Sequence, residues 1–309
     1  MTAFWQNLLQ QHSSNDTAYT ALADTPCFMP LDHLGVLSVS GDDAQTFLQS
    51  LLSNDITLLD INGTQYSSLC TPKGRLLALF LIIRIDDNAY QLVLPHSLCE
   101  AITKRLSMYI LRSKVTVNNA SDRLACLGST HSEPTLTTGT HYHALPATAN
   151  RGVLICPVAE LEALCRAFIE QQYQPQLPTY WQWLDITAGI AKIVPETQEK
   201  FTPQQLNLDI THAVNFQKGC YPGQEIVARL HYLGKANRRL FSAEASTSLS
   251  PETGSEVMTA EGKVAGHIVS TALQGEQGLV CLISLKLSEY KSDLQLGDTP
   301  LRLTSGLVD

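Results

Sequence analysis

The sequence predicts an α+β fold that ends in a small β-barrel or sandwich. Three observations carry this. Strand-like and helix-like periods interleave between residues 35 and 117, helical stripes recur at 159–171 and 180–189, and from residue 239 onward alternation dominates between glycine-containing turns.

In chain order, Gly35-Val36-Leu37-Ser38-Val39-Ser40 alternates as a strand does. Asp42-Asp43 then caps a helix with Phe47, Leu48, Leu51 and Leu52 on one face, ending near Asn54-Asp55. Residues 66–71 read as a strand and Pro72-Lys73-Gly74 as a turn. Residues 76–85 and 90–94 make a hairpin around Asp86-Asp87-Asn88. Ser97-Leu98-Cys99-Glu100 reads as a capping box, opening a helix with Ile102, Leu106, Tyr109 and Ile110 inward. Residues 114–117 return as a strand, and this ββαβ order suggests a split ferredoxin-like portion. The stretch 130–150, rich in Thr, His, Ala, Gly and Pro, reads as a surface loop. A short strand at 152–156 and an amphipathic helix at 159–171 follow, then a helix at 180–189 with Trp181, Leu184 and Ala188 near one stripe. Strands at 240–245, 256–258, 263–270, 278–285 and 299–303 complete the pattern of a barrel or sandwich.

With 309 residues the chain exceeds one typical domain, and 44% apolar residues supply a sizeable core. A net charge of −8 argues against a general nucleic-acid binder. The eight cysteines contain no C-x-x-C pair, so a zinc ribbon or thioredoxin-like site is not expected. The first residues lack the basic and apolar regions of a signal peptide, and the longest apolar run, 76–83, has eight residues, far short of a membrane span. A cytoplasmic protein with reduced thiols is the expectation.

One cysteine has a distinctive setting, Lys218-Gly219-Cys220-Tyr221-Pro222-Gly223-Gln224-Glu225. Pro222-Gly223 suits the central positions of a type II turn, and a helix start follows it. A thiol before a helix N-terminus, with Lys218 and Arg229 nearby, sits in a positive field that favours thiolate. A lone cysteine usually fills space in a core; the turn and the charges favour a functional thiol here. Between Lys218 and Arg239 five basic residues, Lys218, Arg229, Lys235, Arg238 and Arg239, face one acidic residue, Glu225. That excess reads either as a solvated face or as an anion site for polyglutamate, phosphate or an RNA backbone. Lys73-Gly74-Arg75 is a second basic turn. Trp181 reads equally as core or as a stacking wall for a flat heterocycle. His141-Tyr142-His143 would share a face only on a strand, and as loop residues they read as solvated. The phosphate-loop, dinucleotide, zincin and nucleophile-elbow motifs are absent.

Residues 216–229 closely resemble the K-G-C-Y-x-G-Q-E signature of the YgfZ family, folate-binding proteins of iron–sulfur cluster maintenance related to the aminomethyltransferase of the glycine cleavage system. Phe47-Leu48-Gln49 with Asn54-Asp55, Pro72-Lys73-Gly74-Arg75, the stretch 181–189 and Phe201-Thr202-Pro203-Gln204 match family landmarks in order. The resemblance implies an aminomethyltransferase-like arrangement of three domains around a central hole. It implies a folate-binding region over 1–238, of two intertwined α+β subdomains with a ferredoxin-like part, and a barrel over 239–309. Two departures stand out. Arg75-Leu76-Leu77-Ala78-Leu79 lacks the carboxylates that aminomethyltransferases carry after the glycine turn. Leu34 stands where family members can present a tryptophan to folate.

The resemblance thus implies a tetrahydrofolate-binding accessory protein for assembly or repair of iron–sulfur clusters in selected enzymes, including tRNA-modifying ones. Its expected partners are iron–sulfur proteins or their assembly factors, with neither membrane nor direct nucleic-acid binding and no resident metal. Cys220 would be the reactive centre. Lys218 and Arg229 would hold its pKa down, Tyr221 and Gly223 would position it, and Gln224 and Glu225 would orient the loop, Glu225 by pairing with Arg229. Trp181, Leu34, Lys73 and Arg75 would contact folate. A folate-dependent one-carbon transferase and an RNA-binding module are the alternatives.

Overall fold

The computed structural model describes residues 3–12, 19–22, 24–131, 134–136, 140–146, 148, 150–234, 236–248, 250–274 and 278–306. Six helices occur among them: α1 Ala3–His12, α2 Ala44–Leu51, α3 Cys99–Ser107, α4 Leu161–Glu170, α5 Pro178–Thr187 and α6 Gln224–Tyr232. The first strands are β1 Cys27–Pro30, β2 Leu34–Ser40, β3 Thr64–Cys70, β4 Leu76–Asp86 and β5 Ala89–Pro95. Next come β6 Thr116–Asn119, β7 Leu124–Thr130, β8 Tyr142–Ala144, β9 Arg151–Pro157 and β10 Gln174–Pro175. The last six are β11 Arg238–Ser246, β12 Glu256–Thr259, β13 Val264–Gln274, β14 Gly278–Lys286, β15 Leu294–Leu296 and β16 Thr299–Gly306. The chain forms two compact units: Met1–Leu48 with Ile56–Tyr66 and Phe80–Trp181, and Gln49–Asp55 with Ser67–Leu79 and Gln182–Asp309.

In the first unit β1 lies between β10, to which it is parallel, and β7, with β9 and β8 beyond. A second sheet has the order β3-β4-β5-β2-β6, its strands β3 and β4 running on into the second unit. The unbroken apolar run of β4 is buried at every residue from 76 to 83, as a strand covered on both faces requires.

Three expectations are corrected here. The 130–150 stretch is not all loop, because β8 pairs with β9 and buries His143 to 3% exposure. Ser97 caps nothing. Helix α3 grows out of a 3-10 turn at His96–Leu98, its N-cap is Leu98 without a side-chain bond, and it stops at Ser107, which leaves Tyr109 exposed. On α5, Trp181 is buried but Ala188, beyond the helix end, is exposed.

The second unit contains a closed six-stranded barrel in the order β11-β14-β13-β12-β15-β16. Its core holds Phe241, Val257, Ile268, Ile283 and Leu285, the inward half of each alternating strand. Strand β15, three residues long, is too short for its alternation to be read in the sequence. Closure removes the free edges that an open sheet would leave.

Candidate functional site

Cys220 lies on the loop that leads into α6, in the second unit. Asn215 begins the local order: its Oδ1 accepts the N–H groups of Gln217 and Lys218 at 2.8 and 3.1 Å. Lys218 is 7% exposed, and its ammonium donates to the carbonyls of Gln49 at 2.6 Å, Leu52 at 2.5 Å and Asn54 at 3.1 Å. An ammonium has three donors, and the carbonyls past a helix C-terminus lack intrahelical partners, so each meets the other's need. Burial pulls the Lys218 pKa down to about 8, partly offset by the Asp55 carboxylate. The ammonium also lies 5.4 Å from the centre of the Tyr221 ring. Tyr221 is buried, which raises its hydroxyl pKa well above the usual value, with Cys70 adding to the effect.

The turn at Pro222-Gly223 has the expected type II form at its second position, with Gly223 at φ 83° and ψ 0°. Gly223 also touches the turn at 71–75. A Cβ there would stand 2.4 Å from the Thr71 carbonyl oxygen and 2.8 Å from the Gly74 Cα. Gly74 itself has φ +68° and packs on Ile226 of α6. The Lys218 anchor and this glycine contact thus hold the loop from two sides, and Cys220 projects from it. All eight cysteines are free; Cys220 is exposed and the other seven are buried.

The expected charge pattern changes in detail. The Lys218 ammonium is committed to backbone carbonyls. Arg239 is paired with Asp209 at 2.8 Å and also donates to the Gln204 carbonyl. Lys235 lies outside the described residues. The basic run therefore does not form one cationic patch. Among the described residues no ion pair joins Glu225 to Arg229, both exposed on α6 and solvated. The Gln224 side chain reaches the Lys218 carbonyl only at 3.5 Å.

Lys73 is exposed, and Arg75 is half-buried with its Nη1 donating to the Lys200 carbonyl at 2.9 Å. Both belong to the second unit. Leu34 and Trp181 belong to the first. Leu34 opens β2 and is half-buried. Trp181 is 2% exposed, with the Arg151 guanidinium 4.2 Å from its ring centre and Gly128 against its edge. It is a core residue, and no open ring face is left for stacking. His143 is likewise a buried histidine, its Nδ1 3.4 Å from the Asn62 carbonyl and its pKa lowered mainly by burial. Among the described residues no three His, Cys, Asp or Glu side chains gather as a metal site. The carbonyls of Gln49, Leu52 and Asn54 were missed by sequence reasoning, since a backbone acceptor leaves no signature; only Asn54-Asp55 as a landmark marked the place.

Comparison with known proteins gives the class first. Residues 11–129 match the family described as the GCVT N-terminal domain. The crystal structure of the glycine cleavage system aminomethyltransferase T from Bartonella henselae superposes with a TM-score of 0.74 over 93% of this chain and 86% of that one, at 15% identity. The chain has the aminomethyltransferase fold, including the C-terminal barrel.

Within that class, its relatives include the tRNA-modifying protein YgfZ of Photobacterium profundum, 26% identical over 87% of each chain. The protein of that name from Colwellia psychrerythraea is 29% identical over 68% of this chain and 69% of its own. The resemblance carried by residues 216–229 is borne out. No described helix is long and apolar enough to cross a membrane.

Proposed function

We propose that this protein is a cytoplasmic, reduced-folate-binding accessory factor for iron–sulfur enzymes, including tRNA-modifying ones, with Cys220 as its reactive thiol. The observation that supports this most is the contrast among its cysteines: one is exposed on an anchored loop and seven are buried. An exposed thiol on a loop held at both sides is presented, not packed. The name of its relatives, tRNA-modifying protein YgfZ, points to the same setting.

For folate, the half-buried Leu34 offers apolar contact and the exposed Lys73 suits a glutamate carboxylate. The enclosed ring of Trp181 does not fit the role of stacking wall, so its contribution would be to shape the surrounding core. Loop positioning falls to Lys218, Tyr221 and Gly223, with the half-buried Gln224 and exposed Glu225 at the start of α6 and Arg229, also exposed, in its last turn. The missing carboxylates at 75–79 weigh against aminomethyl transfer.

The deciding experiment combines calorimetric titration with tetrahydrofolate and complementation of a strain lacking its own YgfZ protein. Wild type should bind folate and restore the activity of tRNA-modifying iron–sulfur enzymes. Cys220→Ser should bind folate and fail to restore activity. Full complementation by Cys220→Ser would end the thiol proposal, and absence of saturable folate binding would end the folate part.

A further inference from the structure

The outer face of the barrel carries an arginine whose buried Nη1 has no hydrogen-bond partner among the described residues. Consecutive residues of a strand face opposite ways, and Arg238 and Arg239 on β11 differ accordingly. Arg239 makes a bidentate ion pair with Asp209. Arg238 makes no hydrogen bond or ion pair among the described residues, although its Nη1 is shielded from solvent. A buried guanidinium N–H without an acceptor is costly, and burial lowers the pKa of Arg238.

The surroundings of Arg238 are those of an anion receptor. Strand register puts Arg238 opposite Lys286, His267 opposite Ser284 two residues along β14, and Glu256 opposite His267. These residues share the face that points away from the apolar interior. Gly254 is tied to the strand next to His267 by its N–H on the Ile268 carbonyl at 2.8 Å, and Arg238, Lys200 and Glu256 all act on the His267 ring electrostatically. The Lys200 ammonium reaches in beside Gly254, 2.9 Å from where a Cβ would stand, and has no acceptor among the described residues. Lys286 is already bonded to the Val264 carbonyl at 2.6 Å. Glu256 contributes a carboxylate, exposed at the margin.

We propose that Arg238, Lys200 and His267 form a binding site for a small oxyanion, a phosphate or carboxylate group, on the outer face of the barrel. The guanidinium supplies a planar pair of donors, the lysine a point charge, and the histidine a ring that faces the same space. Lys286 raises the local potential and Glu256 limits it. The site is independent of Cys220 and stands whether or not the thiol proposal does.

Isothermal titration of the full chain with inorganic phosphate, and separately with succinate, at ionic strength fixed with chloride tests this. Wild type and Cys220→Ser should each bind one equivalent saturably, and the better of the two ligands identifies the oxyanion. Arg238→Gln should weaken binding by about tenfold or more, the equivalent of losing one charge-assisted hydrogen bond. Lys200→Gln should also weaken it, while Lys104→Gln on α3 leaves it unchanged. Circular dichroism verifies that each variant is folded; should Arg238→Gln unfold, Lys200→Gln decides. Equal affinity in the folded variants, or no saturable binding of either anion by wild type, overturns the proposal.

Discussion

Gly223 and Gly74 meet backbone against backbone, so close that a Cβ on Gly223 would stand 2.8 Å from the Gly74 Cα. The contact joins the turn after Cys220 to the turn after β3. Gly223→Ala must accommodate both a positive φ and a clash with the Thr71 carbonyl at 2.4 Å. Gly262→Ala has a similar φ of +78° and open space, so it carries the backbone strain alone. In urea unfolding Gly223→Ala should be the more destabilised of the two, with each losing about 1 kcal/mol or more from strain. Equal losses would mean that the two turns do not touch in solution.

Lys218→Met removes an ammonium that bonds three carbonyls, of which that of Leu52 is buried. Stability should fall by about 2 kcal/mol or more. The amides of 215–220 should also exchange faster, as the loop loses its anchor. Hydrogen-exchange mass spectrometry reads the second effect directly, and unchanged protection would assign the loop's order to the glycine contact alone.

Cys220 should be the first thiol alkylated by a brief iodoacetamide pulse at neutral pH. The other seven are buried, and burial pushes Cys27, Cys70, Cys126, Cys165 and Cys281 up to about 12. Peptide mass spectrometry ranks the eight. A buried cysteine labelled as fast as Cys220 would remove the distinction on which the proposed function stands.

The same thiols make the fold sensitive to alkali. Unfolded, they ionise near 9.0; folded, these five hold their protons to about 12. The unfolded chain therefore binds fewer protons between those values, and stability present below pH 9 is lost as pH rises toward 12. The urea midpoint should drop between pH 8.5 and pH 10.5, and replacing Cys126 by Ala should make the drop shallower. An identical pH slope in that variant would contradict the assignment.

Trp181→Ala should cost about 3–5 kcal/mol, as deletion of a fully enclosed aromatic ring does. Trp181→Phe keeps most of the volume. If the ring is core and not a wall for pterin, Trp181→Phe binds tetrahydrofolate with wild-type affinity in calorimetry. A clear loss of affinity in that variant would restore Trp181 to the binding site.

The sequence made legible those features set by local pattern. The apolar run of β4, the type II turn at Gly223 and the alternation of the barrel strands each follow from neighbours a few residues apart. Tertiary partners were not legible. Ser97 had the spacing of a capping box, but the chain entered α3 through a 3-10 turn and the box never formed. Lys218 read as a charge beside a thiol, whereas its acceptors are carbonyls, which every residue carries and no composition reveals. Trp181 reads evenly as core or wall in the sequence, and Arg151, thirty positions away, whose guanidinium lies 4.2 Å from its ring centre, leaves no local mark there.

The Lys218 anchor also dictates when in the life of the chain the thiol site can exist. Lys218 and the Leu52 carbonyl are 166 positions apart in sequence. During synthesis the carbonyls at the end of α2 cannot meet the Lys218 ammonium until residue 218 has left the ribosome. A nascent or prematurely ended chain therefore lacks a finished Cys220 loop, however well its early strands have paired. Contacts of such long range form slowly, so the loop that carries Cys220 is among the last parts of the molecule to take shape.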